Sequence, residues 1–249
     1  MKPMTLTRVG LLALALAGAA HANEAVIRKN LAQRMADLPP IDEVSRAPVP
    51  GLWEVRVGFD VFYTDAEGNW LIDGAIIDTK TRKNLTRERT ERLTAIAFDA
   101  LPLKDAFVIK QGQGTRRLAV FADPNCGYCK QLERDLVALP DVTIYTFLLP
   151  ILGPDSQAKS RSIWCAKDVG KTWRAWMIDG NAPTRTMGPC DALALDRNTA
   201  FGRKYRINGT PALVFEDGVR SAGAMPAAEI AKRMAEATAA RGGTKAPPR

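Results

Sequence analysis

The sequence predicts two folded units, a small α+β unit in the N-terminal part and a larger α/β unit after it. Apolar residues alternate at period two between residues 53 and 63, a pattern typical of strands with one buried face. From residue 106 onward they form continuous runs separated by a helical segment, which is typical of parallel strands buried on both faces. With 249 residues and 46% hydrophobic content, the chain can bury a core in each unit. The predicted segments are a signal peptide (1–22), an N-terminal domain (23–85), a linker helix (86–105), a C-terminal domain (106–241) and a flexible tail (242–249).

The first 22 residues have the composition of a secretory signal peptide. The positively charged residues Lys2 and Arg8 precede a short apolar run, Val9–Ala20. The segment Ala20-His21-Ala22 fits the pattern of a cleavage site. The run is short for a bilayer-spanning helix, and the alternative interpretation is a buried N-terminal helix. Cleavage before Asn23 and export would place the cysteines in an oxidising compartment.

The single histidine of the chain, His21, lies within this predicted signal peptide. A mature chain without histidine excludes Ser-His-Asp and Cys-His catalysis, a histidine general base and histidine-ligated zinc. The formal net charge is +8, but acidic residues are interleaved with the basic ones and no continuous basic stripe exists. A solvated basic surface is therefore expected, and no nucleic acid is predicted as a partner.

Periodicity predicts the elements of the N-terminal domain. A helix is expected over Glu24–Leu38, a single strand over Leu52–Tyr63 and another strand over Trp70–Asp78. Thr86 is predicted to cap the next helix, which we expect to run for about four turns. We interpret it as a linker between the two units, and the alternative is that it simply opens the second one.

The second unit is predicted to contain a strand–helix–strand succession, a helical insertion, a hairpin and a final helix. The predicted strands before the insertion are Phe107–Ile109, Arg117–Ala122 and Val142–Leu149, with a helix over Lys130–Leu139. The predicted elements after that are the insertion at 153–206, the hairpin strands Ala212–Phe215 and Val219–Gly223, and the helix Ala227–Ala239.

The chemistry is concentrated in the motif Cys126-Gly127-Tyr128-Cys129, which follows a buried strand and opens a helix. Unpaired N–H groups and the helix dipole favour a thiolate on Cys126, while Cys129 lies one turn further in and is expected to be more buried. Cys126 is therefore predicted to attack a disulfide, and Cys129 to resolve the mixed disulfide. Gly127 leaves room for a substrate backbone, and Tyr128 is expected to project at the rim.

Other interpretations of the four cysteines remain open. Cys126 and Cys129 could form a purely structural disulfide, or all four cysteines could bind zinc. Covalent haem normally requires C-x-x-C-H, whereas Lys130 follows this motif. If Cys126 and Cys129 are the redox pair, Cys165 and Cys190 are left to form a structural disulfide or a second redox pair. We predict no metal and no other cofactor.

A second informative segment is Asn208-Gly209-Thr210-Pro211-Ala212. Pro211 heads a predicted buried strand, where it cannot donate to the hydrogen-bond ladder, and this makes it a candidate for a cis peptide bond.

Together these segments resemble the thioredoxin fold and, within it, the DsbC/DsbG family of periplasmic disulfide isomerases, with the DsbC branch the more similar. The segments that carry the resemblance are F-A-D-P-N-C-G-Y-C at 121–129, I-W-C-A-K-D at 163–168 and N-G-T-P-A at 208–212. The resemblance covers nearly the whole mature chain. It implies an α+β N-terminal dimerisation domain plus an α/β thioredoxin-fold domain with a helical insertion.

The resemblance implies a periplasmic thiol:disulfide interchange protein that isomerises or reduces incorrect disulfides in unfolded or misoxidised secreted proteins. It further implies a cis Thr210–Pro211 bond facing the active cysteines, substrate pairing through Thr210, and a structural Cys165–Cys190 disulfide. The partners it implies are a second copy of the chain, joined through the N-terminal domain, and a membrane thiol reductase of the DsbD type. The alternatives are a DsbG-like reductase of oxidised single thiols and a mainly holdase-type chaperone without redox turnover.

Two positions near the motif depart from related patterns. Thioredoxins carry a buried Asp six residues before the first cysteine, where this chain has Val120. Asp123 is nearer to the motif, but the sequence does not give its direction, so no proton acceptor is assigned for Cys129. A positive charge at Lys130 favours the Cys126 thiolate if it is directed inward, and we expect it to point to solvent.

Overall fold

The computed structural model describes residues 23–185 and 188–243. The predicted signal peptide and residues 244–249 of the predicted tail lie outside the described residues. The chain divides into two compact units, with the boundary between Leu93 and Thr94. No helix in the described ranges combines the length and the apolar composition that crossing a membrane requires.

The N-terminal unit packs a helix, α1 (residues 23–34), on a three-stranded antiparallel sheet. The strands in sheet order are β1 (Glu43–Arg46), β2 (Trp53–Val57) and β3 (Asp60–Thr64). Ile27 and Leu31, one helical turn apart on α1, are buried in one cluster with Trp53 and Val55 of β2. Apolar burial between one helix face and one sheet face is therefore the core of this unit.

The expected single strand over Leu52–Tyr63 is wrong, because this segment folds as the β2–β3 hairpin with Val57 paired to Asp60. Gly58 takes a positive φ of 62°, which a glycine adopts without strain, and it reverses the chain there. The two-residue turn pairs Val57 with Asp60, so the odd-numbered residues of β2 and of β3 lie on opposite faces of the hairpin. Because Val61 and Tyr63 of β3 are buried as well, the period-two apolar pattern continues across the turn and conceals it.

The strand expected over Trp70–Asp78 is also wrong, because only the isolated bridges Tyr63–Ile72 and Ile77–Asn84 form there. The third strand of the sheet is instead β1, which the sequence analysis missed.

Helix α2 (Leu85–Thr94) is shorter than the four turns that we expect from the sequence. Its first turn is capped by Asn84, whose side-chain oxygen accepts a hydrogen bond from the Arg87 N–H at 2.8 Å. Thr86 is not the cap, since its hydroxyl contacts the Tyr63 hydroxyl at 2.6 Å.

The chain after α2 belongs to the second unit and forms two short 3₁₀ turns, Phe98–Ala100 and Leu103–Asp105. Ile96, Phe98 and Leu101 are buried in one cluster against the sheet of this unit. These apolar residues are therefore buried against the sheet. Because this tertiary packing overrides the helical pattern of the sequence, α2 does not continue into this segment.

The second unit contains a five-stranded sheet in the order β4-β6-β5-β7-β8. Strands β5 and β6 are parallel and are joined by helix α3, which makes the predicted β–α–β unit, while β4 and β7 run antiparallel to their neighbours. The strands are β4 (Phe107–Gln111), β5 (Arg116–Ala122), β6 (Val142–Leu148), β7 (Ala212–Val214) and β8 (Arg220–Ala222). The helices are α3 (Gly127–Val137), α4 (Pro154–Trp164), α5 (Val169–Met177), α6 (Leu193–Lys204) and α7 (Ala227–Gly243).

Both faces of this sheet are covered, which explains the continuous apolar run of β5. Leu118 and Val120 lie in one core cluster with residues of α3, α5 and α7, including Ile230 and Met234 of α7. Phe121 lies in a second cluster on the other face, where its ring stacks on Phe147 with centroids 4.6 Å apart. A strand buried on both sides leaves its carboxyl end, where the cysteine motif begins, as the accessible part.

Candidate redox site at the start of helix α3

Cys126 is the N-cap residue of α3, with an extended backbone (φ −75°, ψ 118°). Its sulfur accepts a hydrogen bond from the Cys129 N–H at 3.4 Å, which is one of the N–H groups that a helix start leaves without a backbone partner. Cys126 and Cys129 are free thiols, with 7% and 2% of their surfaces exposed. The helix start therefore places one sulfur close to the surface and the other behind it.

Burial raises the pKa of the Cys129 thiol well above its usual range. A hydrogen bond from the Asp123 backbone acts against this rise, and the neighbouring Cys126 sulfur adds to it. Cys129 is therefore held as a neutral thiol, and it must give up a proton before it can attack a disulfide.

The Thr210–Pro211 peptide bond is cis and lies directly opposite Cys126. The Cys126 thiol donates to the Thr210 carbonyl oxygen at 3.1 Å, and the Thr210 side chain is also a hydrogen-bond partner for Cys129. The β5–β7 pairing explains this proximity, because Phe121 near the end of β5 is paired with Ala212 at the start of β7. The structure thus brings together two motifs that are 84 residues apart in sequence.

The surface beside Cys126 is open and partly apolar. A side chain added at Gly127 would meet no atom within 4 Å, and 69% of the Tyr128 surface is exposed. Ile151 and Leu152, in the loop after β6, are exposed as well. An extended apolar chain can therefore approach the Cys126 sulfur from this side.

Asp123 supports the turn that carries Cys126. Its fully buried carboxylate accepts hydrogen bonds from the Asn125 N–H at 2.8 Å, the Leu152 N–H at 3.0 Å and the Ser156 hydroxyl at 2.7 Å. This answers the question of direction that the sequence left open, because the side chain reaches toward the loop after β6 and the first turn of α4. Asp123 is therefore a scaffold residue of the turn.

Trp176 is the site residue that the sequence reasoning missed. Its indole N–H donates to the Pro124 carbonyl oxygen at 2.6 Å, and the Lys130 ammonium lies 3.9 Å from the centre of its ring. The expectation that Lys130 points to solvent is therefore wrong, since its side chain is half-buried over the indole. The spacing of Trp173 and Trp176 indicates one helix face, but no sequence signal shows which backbone group that face would meet.

Cys165 and Cys190 form a disulfide across 25 residues, with their Cα atoms 5.9 Å apart. It joins the end of α4 to the segment before α6. The four cysteines thus occur as one bonded pair and one free pair, which is not the arrangement of a four-cysteine zinc site. In the part of the chain that the structure describes, no group of three or more His, Cys, Asp or Glu side chains could hold a metal ion.

Comparison with known proteins places this geometry in a family. Residues 103–238 match the family described as the thioredoxin-like domain, and residues 18–87 match the disulfide bond isomerase protein N-terminal domain. The probable thiol:disulfide interchange protein DsbC of Bordetella avium strain 197N is 47% identical over 210 residues, which cover 84% of this chain and 73% of that protein. The chain belongs to the DsbC family of thiol:disulfide interchange proteins.

Further DsbC relatives agree with this assignment. The thiol:disulfide interchange protein DsbC of Escherichia coli strain K12 is 30% identical over 224 residues, which cover 87% of this chain and 89% of that protein. The crystal structure of a disulfide interchange protein from Neisseria gonorrhoeae superposes with a TM-score of 0.52 at 34% identity, covering 55% of this chain and 97% of that one. The predicted fold class and the predicted thiol:disulfide oxidoreductase and isomerase activity of a DsbC protein are thereby confirmed.

Proposed function

We propose that this DsbC protein is a periplasmic homodimer that isomerises or reduces wrong disulfides in secreted proteins through Cys126 and Cys129. The observation that carries the proposal is the asymmetry of the pair. Cys126 caps α3 near the surface, opposite the Thr210 carbonyl, while Cys129 is buried behind it as a neutral thiol.

Exchange begins at Cys126. Its thiolate attacks one sulfur of the substrate disulfide, so that a Cys126–substrate bond forms while the substrate S–S bond breaks. The other substrate sulfur leaves as a thiolate and takes up a proton. The helix start supports this step, because it offers the Cys129 N–H to the Cys126 sulfur.

The mixed disulfide has two outcomes, isomerisation and reduction. In isomerisation, another substrate thiolate attacks the substrate sulfur of the mixed disulfide, which forms a new substrate disulfide and releases Cys126 with no net change in oxidation. In reduction, Cys129 loses its proton and attacks Cys126, so that the substrate leaves as a dithiol and a Cys126–Cys129 disulfide forms. The burial of Cys129 slows this second outcome and leaves time for isomerisation.

Thr210 and Pro211 are the proposed substrate-binding residues. A substrate strand that pairs with the Thr210 backbone is held beside the Cys126 sulfur by main-chain hydrogen bonds. Exposed Tyr128, Ile151 and Leu152 provide apolar surface for unfolded chains of varied sequence. No cofactor is required, because the electrons pass between sulfur atoms.

The proposed partners follow from the chemistry. Each reductive turnover leaves a Cys126–Cys129 disulfide, so a membrane thiol reductase of the DsbD type is needed to restore the dithiol. The predicted signal peptide supports export to the periplasm.

The proposed dimer forms through the N-terminal unit. That unit matches the isomerase N-terminal domain, and it exposes Trp70 (72% of its surface), Ile72 and Ile77. Exposed apolar side chains on so small a unit are suited to burial against a second copy.

Refolding of a protein with scrambled disulfides tests the proposed function. We expect the wild type to restore activity to the scrambled substrate and Cys126→Ala to fail, because no attacking sulfur remains at the helix start. Equal rescue by both proteins would favour the holdase alternative. Faster reaction with a sulfenylated single-cysteine protein than with the scrambled substrate would favour the DsbG-like reductase.

A further inference from the structure

One half-buried side chain, Trp176 of α5, contacts both flanks of the cysteine motif. Its indole N–H donates to the Pro124 carbonyl oxygen, two residues before Cys126, at 2.6 Å. The face of the same indole lies 3.9 Å from the ammonium nitrogen of Lys130, the residue after Cys129. Trp176 therefore connects the turn that precedes the motif with the helical turn that follows it.

The backbone of the motif is closed between these two contacts. The Lys130 N–H donates to the Cys126 carbonyl oxygen at 3.1 Å, and the Cys126 N–H donates to the Asp123 carbonyl oxygen at 3.1 Å. Because these bonds leave the short segment little backbone freedom, a side chain that holds Pro124 and Lys130 also restrains Cys126.

A second ammonium group, that of Lys159, also lies near the indole, but it is paired with a carboxylate. Lys159 of α4 lies 4.8 Å from the ring centre, and its nitrogen also contacts the Asp155 carboxylate one helical turn before it. The charge of Lys159 is thus locally compensated, whereas Lys130 directs its charge onto the indole beside the motif.

We propose that Trp176 is a positioning residue of the redox pair: it anchors the turn before Cys126, holds the Lys130 ammonium beside the motif, and so favours the dithiol form over the disulfide. The proposal rests on the proposed function of Cys126 and Cys129 as the redox pair. The physical reason is differential stabilisation. A fixed cation stabilises a thiolate, which exists only in the reduced form, and has little effect on the neutral disulfide.

The glutathione equilibrium measures this balance directly. One protein disulfide and two glutathione molecules give one protein dithiol and one glutathione disulfide, so two electrons and two protons pass to the protein. The dithiol fraction at fixed pH gives the equilibrium constant, and a merely structural role of Trp176 would not change that constant in a way that depends on Lys130.

A double-mutant cycle on this equilibrium tests the proposal. In the full-length protein, Lys130→Met is expected to shift the constant toward the disulfide by about three- to fivefold, the effect expected of one partly screened charge near a thiolate. Trp176→Leu is expected to cause at least the same shift. In the Trp176→Leu background, Lys130→Met is expected to change the constant by less than about 1.5-fold, because the charge is then no longer held in place.

Trp164→Leu is the matched control. Trp164 is also half-buried, and its indole N–H donates to a backbone carbonyl, that of Asp191, at 3.0 Å, but the contact lies beside the Cys165–Cys190 disulfide. We expect the glutathione equilibrium constant of the Trp164→Leu variant to match that of the wild type. If Trp176→Leu does not fold, Trp176→Met replaces it in the cycle, since methionine fills much of the space but offers neither a ring face nor an N–H donor, and a shift in the same direction is expected.

Two results would overturn the proposal. One is that Lys130→Met changes the equilibrium constant equally in the wild-type and the Trp176→Leu backgrounds, because the Lys130 charge would then act without the support of the indole. The other is an unchanged equilibrium in every variant. Failure of the proposed function looks different, because the wild-type Cys126–Cys129 pair would then not exchange with glutathione at all.

Discussion

The Asp123 carboxylate and the Ser156 hydroxyl are hydrogen-bonded at 2.7 Å, and both side chains are completely buried. This contact ties the turn before Cys126 to the first turn of α4, which is 33 residues further along the chain. The same carboxylate also accepts the Leu152 N–H, so the loop after β6 is held by the same group. The position of the attacking sulfur therefore depends on a buried polar contact outside the motif.

Asp123→Ala is expected to lower the free energy of unfolding by about 2–4 kcal/mol, because it leaves three hydrogen-bond donors, among them the buried Ser156 hydroxyl, without their acceptor. Urea denaturation measures the loss. Asp155→Ala is the control, since the Asp155 side chain is 69% exposed and its removal is expected to change the free energy of unfolding much less. Equal losses in the two variants would contradict the scaffold role of Asp123.

Cys129→Ser is expected to accumulate covalent complexes with substrate proteins. The serine cannot displace the substrate from Cys126, so the mixed disulfide persists unless another thiol resolves it. Non-reducing electrophoresis followed by mass spectrometry identifies the linked sulfur. We expect it to be Cys126, and complexes linked through Cys165 would overturn the assignment of roles.

In Cys126→Ser, the remaining thiol of the redox pair should stay protonated well into the alkaline range. Burial raises the pKa of Cys129 in the folded protein, whereas an unfolded cysteine ionises near pH 8.5. The unfolded chain then releases a proton that the folded chain keeps. The free energy of unfolding should therefore fall as the pH rises above about 8.5, with a slope that approaches 1.4 kcal/mol per pH unit.

Urea denaturation between pH 7 and about 9.5 measures this slope. The double variant Cys126→Ser/Cys129→Ser serves as the reference, because it has no thiol in the redox pair. Parallel pH profiles for the two proteins would show that Cys129 ionises as readily in the folded as in the unfolded chain.

The double variant Cys165→Ala/Cys190→Ala is expected to lose about 3 kcal/mol of stability, as the chain-entropy model predicts for a loop of this length. Its reduction of a small disulfide by Cys126 and Cys129 is expected to remain close to the wild-type rate under conditions in which it is folded. Loss of that activity in a folded variant would instead support a second redox pair.

Deletion of residues 23–85 is expected to give a monomer that still reduces insulin but isomerises scrambled disulfides poorly. Reduction needs only the cysteine pair, whereas isomerisation requires the enzyme to hold an unfolded substrate while its thiols rearrange. Analytical ultracentrifugation and the two activity assays measure the change. A full-length protein that sediments as a monomer would contradict the proposed dimer.

Local patterns were sufficient to predict the catalytic unit in outline. The continuous apolar runs of β5 and β6 predicted a parallel pair because neither strand has a solvent face, and the sheet order confirms it. The N-terminal unit was predicted less well, because apolar residues on both faces of the β2–β3 hairpin are buried and the period-two pattern therefore runs through the turn. The spacing of apolar residues indicates which positions are buried, and it reveals a turn only where the burial pattern changes.

The sequence by itself determined the fold class, the family and the cysteine motif at a helix start, because each depends on residues that are neighbours along the chain. The tertiary structure decided which distant groups surround that motif: the Thr210 carbonyl at Cys126, the Ser156 hydroxyl at Asp123, and the Trp176 indole between Pro124 and Lys130. The physical reason is that a hydrogen bond or a cation–π contact depends on side-chain direction across packed elements. That direction is set by the packing of the strands and helices and is not encoded in the spacing of the residues.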